Sequence, residues 1–406
     1  MVGAGEPRHM AELGRLATTL GMEVAAVVEQ GRRDGTGYLG RGKREELREL
    51  VQGVEARFVV ADDELTASQA RVLEKASGAS VVDRTELIIR IFEAHARDAA
   101  SRLEVELADL EYRLPRVKGK NPELSRLGGG VGGARRGPGE QQLEYDRRVI
   151  RGRIRTINRR LREAKASREV RGARLKEGGP PAVALVGYTN AGKTTILNAL
   201  SDAGRSTKDR LFETLETTTR LVEGAGANGL GGARPDFVVT DTVGFIRKLP
   251  TQLVHSFAST LEAARDADVV ILCADASSEE LEDEVRTVRS TLAEGAASGS
   301  MVPVLCLNKM DLVSEKRTRE LTREYPDAVK ISARRGCEPL LDEIYRCVAD
   351  QRERMQVLIP HSQYGAASRL YGLAEIHAQR NTDTGLWLDV SLPRAASARY
   401  HPFRIA

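Results

Sequence analysis

Ala182-Val183-Ala184-Leu185-Val186-Gly187-Tyr188-Thr189-Asn190-Ala191-Gly192-Lys193-Thr194-Thr195 is the stretch on which the fold turns. Its first five residues are apolar and too few for a buried helix, so they read as a buried strand. The next eight spell GxxxxGKT, and a helix-forming run follows. In this strand–loop–helix setting, glycines let backbone N–H groups wrap a phosphate, and the helix dipole adds to the attraction. Lys193 is placed to bridge the β- and γ-phosphates, and the Thr194 hydroxyl to ligate Mg²⁺. The expected fold is therefore α/β, a P-loop domain with a parallel sheet.

Downstream motifs narrow the ligand. After the strand-like Phe237-Val238-Val239-Thr240 comes Asp241-Thr242-Val243-Gly244. An acidic residue at a strand end can hold Mg²⁺ through water, and Gly244 can offer its N–H to the γ-phosphate. Asn308-Lys309-Met310-Asp311 follows the run Val304-Leu305-Cys306-Leu307. A carboxylate at 311 can accept from both N1–H and the N2 amino group of guanine. Adenine has no such donor pair, so the pattern implies GTP and GDP rather than ATP. Ile331-Ser332-Ala333-Arg334 closes another short strand and can back the base with a backbone N–H. Four motifs in order, each at a strand end, predict a Ras-like G domain. An unrelated P-loop kinase or ATPase is the competing reading.

The remaining chemistry is sparse. Cys273, Cys306, Cys337 and Cys347 form no CxxC pair, and the six histidines form no HExxH, so a protein-only metal site is not indicated. No apolar run reaches the length of a membrane span, and the N-terminus lacks an apolar signal core, which points to a cytoplasmic protein. The net charge is +4, yet Asp146–Lys176 alone holds 13 Lys/Arg against 3 Asp/Glu. That +10 segment leaves the rest of the chain at −6. One basic segment on an acidic chain suggests a polyanionic partner.

Four regions are expected among the 406 residues. Residues 1–96 form a small α/β domain with a parallel sheet, its strands at Val24–Val28, Arg57–Val60 and Val81–Asp83 and its helices at Lys43–Gly53 and Ser68–Ser77. Residues 97–178 form a helical hairpin of coiled-coil type. One helix carries the stripe Leu103, Leu107, Leu110, Leu114; the other carries Leu143, Ile150, Ile154, Ile157, Leu161, Ala164. Between them lie Gly128–Gly133 and Arg135-Arg136-Gly137-Pro138-Gly139, a glycine-rich basic tip. Residues 179–350 form the G domain. Residues 351–406, with Val357–Pro360 and Leu386–Val390 as strands around a helix, form a small α+β tail domain.

Several stretches are more specific than any generic GTPase pattern. GYTNAGKT at 187–194, Phe212-Glu213-Thr214-Leu215-Glu216, DTVGFIRK at 241–248 followed by Leu249-Pro250, and GPGEQQLE at 137–144 together resemble the HflX family of translational GTPases. Val82-Asp83-Arg84-Thr85 extends the likeness into the first domain, so it covers about residues 20–350. The resemblance implies a GTPase that binds the large ribosomal subunit in its GTP state and acts in ribosome splitting, rescue or recycling, expected as a monomer. A large-subunit assembly factor or RNA scaffold, in which binding matters more than turnover, is the alternative. Arg135, Arg136, Arg147, Arg148, Arg151, Arg155, Arg159 and Arg162 are the candidate ribosomal RNA contacts. A merely solvated helix face is the other reading of the basic run.

Thr214 is, by that family correspondence, the switch threonine closing on Mg²⁺ and the γ-phosphate, with Thr217, Thr218 and Thr219 as competing assignments. The chain departs from the family at Gln142 and at Glu216-Thr217, and Ala134-Arg135 lengthen the tip loop. The residue after DTVG, where Ras-like enzymes often carry a water-positioning glutamine, is Phe245. It cannot orient water, so slow intrinsic hydrolysis and acceleration by the ribosome are expected. Arg247 and Lys248 are either an internal finger or an exposed basic pair. Asn190 has two readings, K⁺ binding in place of an arginine finger or capping of the loop. A second nucleotide in the first domain has no phosphate-loop signature behind it.

Overall fold

A computed structural model of the protein describes residues 1–5, 9–96, 98–117, 138–176, 179–201, 218–224, 234–248, 250, 253, 262–295 and 303–405. They divide into two compact units. The first comprises the described residues within 1–165 together with 245–248, 250 and 253; the second comprises the others. Among the described residues, no helix is long and apolar enough to cross a membrane.

The first unit begins with a four-stranded parallel sheet. Its strands are β1 (Val2–Ala4), β2 (Val28–Gln30), β3 (Phe58–Ala61) and β4 (Ser80–Asp83), in the order β2-β1-β3-β4. The helices Arg41–Gly53 and Ala67–Ser77 cover it, and Leu47, Leu73, Val59 and Leu39 fill the space between. Thr66 caps the second helix with a full capping box to Gln69, which fixes the exit from β3. The apolar run Val24–Val28 is not the strand its composition suggests. Only Val28 enters the sheet, and Val24 and Val27 are exposed, because β1 offers just three residues and pairs Val2 with Val28.

Asp83 caps the helix Arg84–His95 by accepting from the backbone of Glu86, and Asp98 caps Ala99–Arg113 in the same way. On the latter helix the buried residues are Val105, Leu107, Ala108 and Tyr112. The expected stripe is thus rotated: Leu103, Leu110 and Leu114 are only half-buried. The 39-residue helix Pro138–Lys176 runs in the opposite direction, presenting Ile157, fully buried, and Arg153, which holds Glu106 through two bonds of 2.6 and 2.8 Å. Gly128–Gly133, Arg135 and Arg136 lie outside the described residues.

The second unit is built on a six-stranded sheet. In chain order its strands are β5 (Ala182–Gly187), β6 (Thr218–Val222), β7 (Phe237–Asp241), β8 (Val269–Asp275), β9 (Val304–Asn308) and β10 (Val329–Lys330). The sheet order is β10-β9-β8-β5-β7-β6, with only β6 antiparallel. Its core includes Val183, Leu185, Phe237, Val239, Ile271, Cys306 and Ile344, all buried. Cys273, Cys306 and Cys337 are buried thiols. Burial pushes the Cys273 thiol up to about 12 and Cys337 up to about 11, so they stay protonated at neutral pH as packing residues.

The same unit ends in a three-stranded antiparallel sheet, β11 (Arg352–Pro360), β12 (Glu375–Asn381) and β13 (Gly385–Pro393), ordered β11-β13-β12. The helix Tyr364–Leu373 separates β11 from β12. Met355, Val357, Ile359, Leu388 and Val390 form its buried face, the period-2 pattern visible in the sequence.

Candidate nucleotide site

Every described motif residue of the site sits at the carboxyl edge of the six-stranded sheet, where open α/β sheets bind ligands. Strand β5 delivers Gly187 at φ 154°, and a Cβ there would collide with the Cys273 carbonyl on neighbouring β8. The chain then turns through Asn190 at φ 64° and Gly192 at φ 88°, both in the left-handed region. A Cβ at Gly192 would overlap the Asn308 side chain, so this glycine is required by a close approach as well as by its backbone angle. Gly192 caps the helix Lys193–Leu200, whose N-terminus opens onto the loop.

Lys193 is buried at 6% exposure, its ammonium donating to the carbonyls of Gly187 (3.2 Å) and Tyr188 (2.9 Å). Burial lowers its pKa, and the Asp241 carboxylate opposes that shift. Thr194 Oγ1 donates to Asp241 Oδ2 at 2.7 Å. A hydroxyl and a carboxylate adjoining on two elements are hard oxygen donors of the kind Mg²⁺ takes, so the pair fits that ion. Among the described residues no cluster of His, Cys, Asp and Glu could hold a metal by itself. Thr242 Oγ1 ties the start of the next turn to the Leu185 carbonyl at 2.7 Å. Gly244 closes on the loop: a Cβ there would lie 2.8 Å from Thr189 Cα and 2.9 Å from Lys193 Nζ. Among the described residues the buried Thr189 hydroxyl has no hydrogen-bond partner, and it lies on the loop itself.

The base-side residues form a linked set. Asn308 donates to the Ala191 carbonyl at 3.0 Å and accepts from the Ala333 backbone N–H at 3.0 Å, so it joins the phosphate loop to the Ser332-Ala333 turn. The Ala333 N–H is thereby directed to Asn308. Lys309 adopts φ 62° and pairs with Asp275 at the end of β8, 2.8 Å away. Ser332 donates to Asp311 Oδ1 at 2.6 Å, which holds the Asp311 carboxyl below its usual range. Asp311 is thus a formed carboxylate with one oxygen braced. Tyr188, Ala191, Thr195, Val243 and Met310 complete the described set, and Arg334 is exposed beside it. Phe212, Glu213, Thr214, Leu215, Glu216 and Thr217 lie outside the described residues.

Two partnerships carry no local sequence signal. Asp275 stands 34 residues before Lys309 and is found only because β8 and β9 pair Asp275 with Asn308. Lys248 is exposed beside the half-buried Arg247, yet its ammonium is engaged. In the first unit its ammonium lies 2.7 Å from both Asp62 Oδ2 and Asp63 Oδ1. Phe245 and Ile246 are buried at 2% and 3%.

The family profile described as GTP-binding GTPase N-terminal matches residues 7–93, GTP-binding GTPase Middle Region matches 95–174, and 50S ribosome-binding GTPase matches 182–309. GTPase HflX of Caldanaerobacter subterraneus subsp. tengcongensis is 41% identical over 361 residues, 87% of this chain and 80% of that protein. GTPase HflX of Magnetococcus marinus is 37% identical over 97% of this chain and 90% of its own length. With GTPase HflX of Thermococcus kodakarensis the identity is 40% over 83% and 77%. The chain belongs to the HflX family of GTPases.

Proposed function

We propose that this GTPase binds the large ribosomal subunit when GTP and Mg²⁺ fill the site, and that it acts in splitting or rescuing stalled ribosomes. The observation that carries the ribosomal part is the row Arg151, Arg155, Arg159 and Arg162. All four are exposed, at spacings of 4, 4 and 3, on one face of the long helix. Such a row matches the phosphate spacing problem of RNA better than a lone charge does. Arg147, half-buried, and Arg148, exposed, stand near its start, and Arg135 and Arg136, outside the described residues, are the remaining candidates.

In this reading Lys193 shifts from the loop carbonyls to the β- and γ-phosphates, and the loop N–H groups cradle them. Thr194, with Thr214 from outside the described residues, would hold Mg²⁺ and Asp241 would reach it through water; when bound it would supply neutralisation of phosphate charge. Gly244 reads the γ-phosphate with its N–H, and Asp311 reads the base. Phe245, buried, supplies no hydrogen bond to a water, so intrinsic turnover is slow and a bound ribosome completes the site. Loss of the γ-phosphate releases the switches and then the ribosome.

GTP turnover with and without purified large subunits, alongside co-sedimentation in a non-hydrolysable analogue, tests this. At least tenfold stimulation with analogue-dependent pelleting is expected. Slow turnover and no pelleting would remove the ribosome from the reading and leave another RNA as the partner of the helix. Pelleting without separation of intact ribosomes into subunits would favour the assembly role. We also propose that Asn190, whose backbone is left-handed at φ 64°, helps to bind a K⁺ ion. Turnover is then severalfold faster in KCl than in NaCl; equal rates would return Asn190 to loop capping.

A further inference from the structure

Strand β3 runs out into Ala61-Asp62-Asp63-Glu64-Leu65, at the carboxyl edge of the N-terminal sheet. That edge is where a parallel sheet collects a ligand. Here it meets the chain's own Arg247 and Lys248. The side chains of Asp62 and Asp63 are 5% and 8% exposed, and both carboxylates take the Lys248 ammonium at 2.7 Å. Arg84, buried at 2%, donates to Asp62 Oδ1 and Glu12 Oε1 at 2.8 Å each, and to the Arg247 carbonyl at 3.1 Å. Asp63 also takes the Tyr38 hydroxyl at 2.9 Å and Arg33. Three carboxylates thus face three cations, and Lys248 is the cation supplied from 185 residues downstream. Its φ of 51° is a left-handed angle that a lysine keeps only when its surroundings hold it there.

Four residues earlier, Gly244 lies against Thr189 and Lys193 of the phosphate loop. Four residues of chain span at most about 14 Å, and Phe245 and Ile246 are themselves buried. We propose that the Lys248–Asp62/Asp63 contact is a latch that pre-orders the segment after DTVG, making Lys248, Asp62 and Asp63 positioning residues for GTP binding over GDP. The inference rests on the reading of Gly244 as the γ-phosphate sensor. With the latch closed, the ordering of residues 244–248 is complete before GTP arrives. With it open, GTP must order them and GDP need not, because GDP offers no γ-phosphate.

The test is calorimetric titration of the full chain, with Mg²⁺, by GDP and by a non-hydrolysable GTP analogue. For Lys248→Ala the analogue's affinity falls about five- to tenfold while GDP affinity stays within twofold; Lys248→Arg, which can still bridge two carboxylates, stays near the unsubstituted protein. Because Lys248→Ala leaves two buried carboxylates short of a cation, the charge-compensated pair Lys248→Ala with Asp63→Asn is measured too. It is expected to lose no more than the single variant, the non-additivity of groups in contact. An unchanged analogue-to-GDP ratio in the variants, or an equal fall for both nucleotides, would overturn the latch while leaving the nucleotide site intact. Failure of the unsubstituted protein to bind either nucleotide would overturn the site itself, and the latch with it.

Discussion

Asp311→Asn lowers GTP affinity by two to three orders of magnitude and makes xanthosine triphosphate the preferred ligand. In the structure Asp311 is ionised and braced, since Ser332 donates to its Oδ1 at 2.6 Å and holds its pKa below the ordinary carboxylate range. The carboxylate has acceptor capacity left for a paired donor edge, N1–H and the N2 amino group of guanine. A hydrogen bond to a charged group contributes about 1.5–3 kcal/mol, so losing one bond and the charge on the other costs about 3–4 kcal/mol, which is the two to three orders stated. The asparagine amide sets a donor against the guanine amino group. Xanthine carries an oxygen at that position and accepts from the same amide, so the preference inverts rather than vanishes. The substitution keeps the oxygen that Ser332 needs, and the thermal midpoint should therefore stay within about 2 °C of the parent. Competition binding with the two triphosphates is the measurement. Unchanged GTP affinity would mean that Asp311 does not read the base.

The legibility of this chain followed the range of the interactions involved. The phosphate loop could be read because the motif is contiguous in the chain, and Gly187 and Gly192 are demanded by close approach to Cys273 and Asn308. The tail sheet could be read because Val357 and Leu388 alternate with polar neighbours and pair across β11 and β13. Strand β1 could not, since Val2-Gly3-Ala4 is too short to show any period, yet it is central and sets where its neighbours pair. The longer run Val24–Val28 misled for the converse reason: apolar composition does not make a strand where no partner strand extends to meet it. Asp275 and the Asp62–Asp63 pair were illegible because their partners are joined to them by folding and not by spacing. Arg84, noted in the sequence only as part of the family-like Val-Asp-Arg-Thr stretch, owes its position to a buried network with Glu12 and Asp62.

Replacing Arg151, Arg155, Arg159 and Arg162 together by glutamate weakens ribosome binding about a thousandfold at ~0.1 M salt and flattens its salt dependence by about three units in the log–log slope. Each phosphate neutralised adds about 0.7–0.9 to that slope, so four contacts account for about three. Carried from ~1 M salt, where such contacts contribute almost nothing, down to ~0.1 M, three units of slope become three orders of affinity. The four side chains stand on the exposed face, spread over ~16 Å of helix at 1.5 Å per residue. The helix itself is held elsewhere: Ile157 is fully buried, and Arg153, left unchanged, keeps its two bonds to Glu106. Arg159 meets Glu163 only at 3.9 Å between exposed side chains, a pair worth too little for its loss to unfold the helix. Circular dichroism and GTP affinity should therefore match the parent while co-sedimentation with large subunits fails. If binding and its salt slope both persisted, the arginines would be a solvated face only, and the GTPase would reach the ribosome by another surface. A loss of affinity with the slope unchanged would mean that these arginines contribute without neutralising phosphates, because phosphate contacts cannot be removed without releasing fewer counterions.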